Sequence, residues 1–183
     1  MTRFRISSER DIFSDHYLRV LVADVEAPDG SHHERTIVRT RGAVGVVPVL
    51  FDPEGVASVV LVRQFRTAVG AELLEIPAGI RDVDGEPPED TARRELIEEA
   101  GFRAGRLALL TRFHNTAGWS DANTYVYLAT DLAPVDHDRQ GAEEEHMTVV
   151  HLGFDEAVER VRAGEITDAK TVIGLLLAAP LLG

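Results

Sequence analysis

At 183 residues, 44% of them hydrophobic, the chain has the size and apolar content for one ordinary domain with an appended subdomain around a buried core. It contains no cysteine, which excludes a disulfide framework and a thiolate metal site, so any metal must be held by oxygen or imidazole. A formal net charge of -12 disfavours nucleic acid and anionic membrane surfaces as partners, and any phosphorylated ligand would need counter-cations. No charged segment precedes an apolar one at Met1, and the apolar run "VIGLLLAAPLLG" is too short to cross a bilayer. A soluble, non-secreted, cytoplasmic chain is therefore expected.

Residues 1–42 read as an antiparallel β subdomain. "HYLRVLVADVEA" and "HHERTIVRTRG" form a hairpin around the turn signal "PDGS". Residues 43–183 follow as the main domain. "AVGVVPVLF" and "VASVVLVRQFR", joined at "DPEG", are valine-rich enough to be buried on both faces, which predicts mid-sheet positions. A helix is predicted over about 88–100, with Pro87 and Pro88 at its start, Glu89 and Asp90 at the positive dipole end and Gly101 as the C-terminal cap. "LALLTRFHNTAGWSDANTYVYLATDL" gives two strands around a polar loop, and an acidic segment "DRQGAEEEHMTVVHL" follows. Phe154, Val158 and Val161 are at helical spacing, and "DAKTVIGLLLAAPLL" predicts a last helix capped by Asp168. The order of elements implies α/β or α+β, with the β subdomain at the N-terminal end.

The helix over 88–100 carries two faces. Ala92, Leu96 and Ala100 form an i, i+4 apolar stripe. At about 100° per residue, Glu98 lies roughly 60° to one side of Glu95 and Glu99 roughly 40° to the other, so the three carboxylates share one wedge. They repel one another, and they sit near the negative end of the helix dipole. A hard divalent cation, Mg²⁺ above all, would offset that charge and bring a phosphate to an acidic protein. A solvated acidic face with Arg94 paired to Glu98 has the same spacing, so spacing alone does not decide.

"GIRDVDGEPPEDTARRELIEEAGF" resembles the Nudix box, G-x5-E-x7-R-E-U-x-E-E-x-G-U with U a bulky apolar residue. Glu86, Arg94, Glu95, Leu96, Glu98, Glu99, Gly101 and Phe102 match in order and spacing. One extra residue separates Gly79 from Glu86, in the loop before the helix, where an insertion leaves the helical register intact. The resemblance implies a Nudix fold, a mixed sheet between helices, and Mg²⁺-dependent hydrolysis of a nucleoside diphosphate linked to another group, with Mn²⁺ as a substitute metal. By motif it implies Glu95, Glu99 and the carbonyl of Ala78 as metal ligands and Glu98 as an additional one. Arg94 would orient a glutamate, and Gly79, Glu86 and Gly101 would be structural.

Further segments, "GAVGVVPVL", "VVLVRQFRTAVGAELLEIPAG" and "GEITDAKTVIGLL", are similar to those of the ADP-ribose and nucleotide-sugar pyrophosphatases of that family. In that branch "GAEEEHMTV" resembles the loop that supplies the catalytic glutamate, which falls on Glu144 or Glu145; His146 beside them reads as a surface residue. An arginine of "RQFR", Arg66 before Arg63, would contact the diphosphate, and a strand-end ion pair is the other reading of Arg66. The N-terminal strands resemble a part exchanged across a homodimer. Two departures bear on substrate: Ala117 stands before Gly118 where the branch has proline, and Ala122 where it has glutamate. Gly118 and Trp119 remain substrate-binding candidates, the tryptophan either stacking on a ring or anchoring its loop. The implied reaction is cleavage of ADP-ribose or a related nucleotide sugar to a nucleoside monophosphate and a sugar phosphate. Alternatives are a GDP-mannose or other nucleotide-sugar pyrophosphatase, or a sensor that binds ADP-ribose without hydrolysing it.

Overall fold

A computed structural model of the chain describes residues 3–136 and 146–182. Two units are distinguished by their internal packing: one comprises Met1–Gly42 with Phe113–Asn123, the other Ala43–Arg112 with Thr124–Gly183.

The smaller unit is a three-stranded antiparallel sheet, β1 (Arg5–Ser14), β2 (Leu18–Glu26) and β3 (His32–Thr40), in the order β1-β2-β3. The β2–β3 turn is closed by Ala27 N–H donating to the Ser31 carbonyl at 2.8 Å, with the Asp29 carboxylate accepting from Ser31 N–H at 2.9 Å. That is the local reason "PDGS" reads as a turn. β1 has no matching signal. Its register against β2 shifts between Ile6 and Ser8 and again between Asp11 and Phe13, so its apolar residues change faces twice and show no period of two. All ten of its residues are exposed.

The larger unit is built on a seven-stranded mixed sheet. β4 (Ala43–Phe51) and β5 (Ala57–Arg66) lie inside it, with β8 (Phe102–His114), β9 (Asn123–Pro134) and β10 (Thr148–Gly153) completing the order β10-β5-β4-β9-β8. β4 runs parallel to β9 and antiparallel to β5. Side chains of β4 alternate between two helical layers, which is why its valines are buried on both sides. Val44 and Val46 join Ala92, Leu96 and Ala100 of α1 (Pro88–Ala100) in one cluster. The intervening face packs on α3 (Ala169–Leu182), while α2 (Phe154–Arg162) covers β5.

β4 and β5 pair with each other only over Val49–Phe51 and Ala57–Val59. Beyond that they diverge, and two short strands that no sequence period announces fill the gap. β6 (Ala71–Glu75) pairs with β5, and β7 (Ala78–Ile80) pairs with β4. Ile76 and Pro77 bridge them. Pro77 has no N–H to contribute, but its carbonyl accepts from Val46 N–H at 2.9 Å. This splay brings the start of the motif loop directly beneath α1, which packs on both β7 and β4.

Candidate functional site

The helix that carries the acidic wedge starts as its residues dictate. Pro87 caps it and Pro88 occupies the first turn. Gly101 ends it in the left-handed region (φ 71°, ψ 32°), its N–H bonding back to Leu96 and Ile97 carbonyls. Between these ends the apolar stripe is fully used: Ala92 and Leu96 are completely buried, and burial of a leucine side chain contributes about 1.5–3 kcal/mol.

The acidic face is buried as well. Glu95, Glu98 and Glu99 are only 6%, 5% and 5% exposed. A merely solvated charged face is therefore ruled out, since carboxylates are seldom buried without a partner that compensates them. Arg94 is the main one. Its Nη1 donates to Glu95 Oε1 at 2.8 Å and Glu98 Oε2 at 2.9 Å, while Nη2 reaches Asp82 at 3.3 Å and lies 3.6 Å from Glu86. One guanidinium thus fixes the carboxylates of the helix and of the preceding loop together. Glu86 also accepts from the buried Thr91 hydroxyl at 2.7 Å, which ties the loop to the first helical turn. The extra loop residue is absorbed upstream, in a turn closed by Glu86 N–H on the Val83 carbonyl at 3.2 Å with Gly85 at φ 81°.

Glu99 has a different environment. Its Oε2 accepts from Ala78 N–H at 2.8 Å. Its carboxyl is pushed up to about 8, chiefly by burial and also by the Glu95 charge, against the opposing pull of the Ala78 N–H. Gly79 explains how the strand and the wedge come so close: a Cβ there would lie 2.0 Å from the Glu95 carboxyl carbon. Only a residue without a side chain lets the carboxylate rest on the backbone of β7.

Among the described residues, no three Asp, Glu or His side chains converge closely enough to hold a metal ion as they stand. Arg94 and the Ala78 N–H hold the carboxylates instead. The donors nonetheless suit a hard divalent cation in kind: the carboxylates are all oxygen donors, all are buried, and a bound cation would offset the burial and the Glu95 charge that raise the Glu99 carboxyl above its ordinary value.

Arg66, at the end of β5, makes a two-pronged ion pair with Glu75: Nε to Oε1 and Nη2 to Oε2, both at 2.7 Å. Its side chain is still 37% exposed. Arg63 is exposed on the same strand. The Glu75 carboxylate is completely buried and also receives Lys170 Nζ, which itself lies 3.0 Å from Asp168. Asp168 caps α3 by accepting from Thr171 N–H at 3.0 Å and Oγ1–H at 2.6 Å. Sequence reasoning overlooked Glu75 and Lys170. The available signal was a single carboxylate within the apolar run "LLEIP", which cannot be buried without a cation.

Gly118 and Trp119 lie in the smaller unit, on the loop 115–122 between β8 and β9. That loop is tied to β3 through its backbone and Asp121: Val38 N–H donates to the Trp119 carbonyl at 2.9 Å, and Thr40 N–H to Asp121 Oδ1 at 2.9 Å. The indole is 54% exposed and lines a cavity of about 330 Å³ with Ile6, Ile37, Ala117 and Gly118. The loop is thus anchored without the ring, which stays available for stacking. His146 is exposed. Glu144 and Glu145 lie outside the described residues.

The family model described as "NUDIX domain" matches residues 39–172. The chain is 36% identical over 168 residues to an ADP-ribose pyrophosphatase of Bacillus subtilis (strain 168), covering 92% of this chain and 88% of that one. It is 39% identical over 152 residues to an ADP-ribose pyrophosphatase of Mycobacterium tuberculosis (strain ATCC 25618 / H37Rv), covering 83% and 72%. In fold it resembles the crystal structure of an ADP compounds hydrolase, with a TM-score of 0.80 and 24% identity over 98% of this chain and 94% of that one.

Proposed function

The chain belongs to the NUDIX family, and from that premise we propose that it hydrolyses the pyrophosphate bond of ADP-ribose or a related nucleotide sugar with a divalent metal ion. Products are a nucleoside monophosphate and a sugar phosphate. The observation that carries this reading is the burial of Glu95, Glu98 and Glu99 on one helix face, with Glu95 against the backbone of Gly79 and Glu99 bonded to the Ala78 N–H.

Glu95, Glu99, Glu98 and the carbonyl of Ala78 would hold the cation, Mg²⁺ with Mn²⁺ as substitute. When bound it neutralises charge on the phosphate oxygens and lowers the pKa of a water. Arg94 keeps Glu95 and Glu98 aimed by bonding both from one nitrogen. Arg66, or Arg63 in second place, meets the diphosphate, and the open side of the Arg66 guanidinium suits a phosphate oxygen. Glu144 or Glu145 takes the proton of the attacking water as the P–O bond to the leaving group breaks. Gly118 and Trp119 read the group beyond the diphosphate. The exposed apolar side chains of the N-terminal strand, Ile6, Ile12 and Phe13, with Phe4 just before it, support a homodimer that exchanges this segment.

A GDP-mannose preference is the second reading, favoured by Ala117 and Ala122 in the 115–122 loop and by 35% identity over 173 residues to a GDP-mannose pyrophosphatase of Cronobacter sakazakii (strain ATCC BAA-894). Phosphate release from ADP-ribose, GDP-mannose and UDP-glucose, coupled to alkaline phosphatase with Mg²⁺ or EDTA, tests both. A metal-dependent signal led by ADP-ribose supports the first, one led by GDP-mannose the second, and none from folded protein refutes hydrolysis. Replacing Glu144 and Glu145 by glutamine one at a time should lower the rate about 10²-fold or more at one position; two small effects would place the base elsewhere.

A further inference from the structure

Glu75 faces two cations where one would balance it. Its carboxylate, buried completely, accepts two bonds from Arg66 and one from Lys170. The two cations are not equivalent. Lys170 is 13% exposed and is held between Glu75 and Asp168, with Asp168 in turn fixed by the Thr171 N–H and hydroxyl. Thr171 Oγ1 also accepts from Ile76 N–H at 2.9 Å, so the strand carrying Glu75 and the helix carrying Lys170 are locked together. Arg66 alone has an open side, being 37% exposed.

We propose that Lys170 is a positioning residue that makes Arg66 transferable: it neutralises Glu75 while the Arg66 guanidinium turns from that carboxylate to the substrate's phosphate oxygens. The inference rests on the reading of Arg66 as a diphosphate contact. Its physical basis is the cost of stripping one partner from a buried ion pair, which leaves an uncompensated charge in a low-dielectric site. With Lys170 on Oε2, Glu75 keeps a counter-ion throughout and the cost is avoided. Without it, Arg66 is the sole cation on Glu75 and stays there. Glu75 thus stores the arginine in the ligand-free protein, and Lys170 permits its release.

The test is steady-state kinetics on the best substrate, with melting curves, for five proteins: wild type, Lys170→Met, Arg66→Ala, Arg66→Ala/Lys170→Met and Glu75→Gln/Lys170→Met. Lys170→Met should raise KM about tenfold with kcat within about threefold, because binding rather than chemistry loses the arginine. In the Arg66→Ala background the same substitution should add nothing. Glu75→Gln/Lys170→Met should return KM to within about threefold of wild type, since a neutral amide no longer retains Arg66. A merely structural Lys170 would show an equal penalty in both arginine backgrounds and no recovery in the double variant, and either result overturns the proposal. Should Lys170→Met fail to fold, the folded double variant decides alone, a raised KM refuting the exchange. Wild-type protein that cleaves no nucleotide sugar refutes the functional reading only. The exchange is then read from the affinity for inorganic pyrophosphate, which must follow the same pattern across the variants.

Discussion

Gly79→Ala is the sharpest probe of the site, because the new methyl has nowhere to go. Its Cβ would lie 2.0 Å from Glu95 Cδ, 2.1 Å from Oε1 and 2.3 Å from Oε2. Ordinary carbon contacts are about 3.5–4.0 Å, so the carboxylate must retreat by roughly 1.5 Å. The group displaced is the end of a side chain rather than backbone, so the fold should survive. Moving it sacrifices the Arg94 Nη1 bond at 2.8 Å. Hydrogen bonds to charged groups contribute about 1.5–3 kcal/mol, and 1 kcal/mol shifts the melting point of a chain this size by about 2–4 °C. A melting point lower by about 3–12 °C is therefore expected. Activity should fall much further, by about 10²-fold or more, since misplacing a catalytic group by 1 Å can cost that much. Thermal melts and a divalent-metal titration of kcat/KM measure the two effects. Gly118→Ala is the control for stability, having no atom within 4 Å of the added Cβ, and should stay within about 0.5 kcal/mol of wild type. A Gly79→Ala protein with activity within about threefold of wild type would refute both the placement of Glu95 and its assignment as a ligand.

Two other outcomes are expected. A cation that binds only the folded chain raises stability by mass action, so millimolar Mg²⁺ should raise the melting point of wild type and leave Glu95→Gln/Glu99→Gln unchanged; equal shifts in both would place the metal elsewhere. Burial pushes the Glu75 carboxyl up, but Arg66 and Lys170 outweigh it and hold it below its ordinary value. A depressed carboxyl contributes stability that is complete above its unfolded value of about 4.3 and is lost as pH falls through the folded one. Glu75→Gln should therefore be less stable than wild type at pH 7, with the gap closing in acid below about pH 4, as read by denaturant midpoints; a gap constant with pH would contradict the assignment.

Much of this protein was legible in one dimension because the information was local or periodic. The helix from Pro88 to Ala100 follows from two prolines, a left-handed glycine and an i, i+4 stripe, each acting within a few residues. The interior strands follow from continuous valine runs, and the family from eight residues of one loop and helix. Tertiary structure decided what lies far apart in sequence. Spacing left the acidic wedge equally compatible with a solvated face, and only the fold, which sets Gly79 under Glu95 and the Ala78 N–H on Glu99, shows it buried. β1 was hidden by its two register shifts, and β6 and β7 by their brevity and by a splay between β4 and β5 that no local pattern encodes. The pairing of Glu75 with Lys170 spans 95 residues. Which cation neutralises a buried carboxylate is set by which helix end the fold brings to it, and the chain must close before that choice exists.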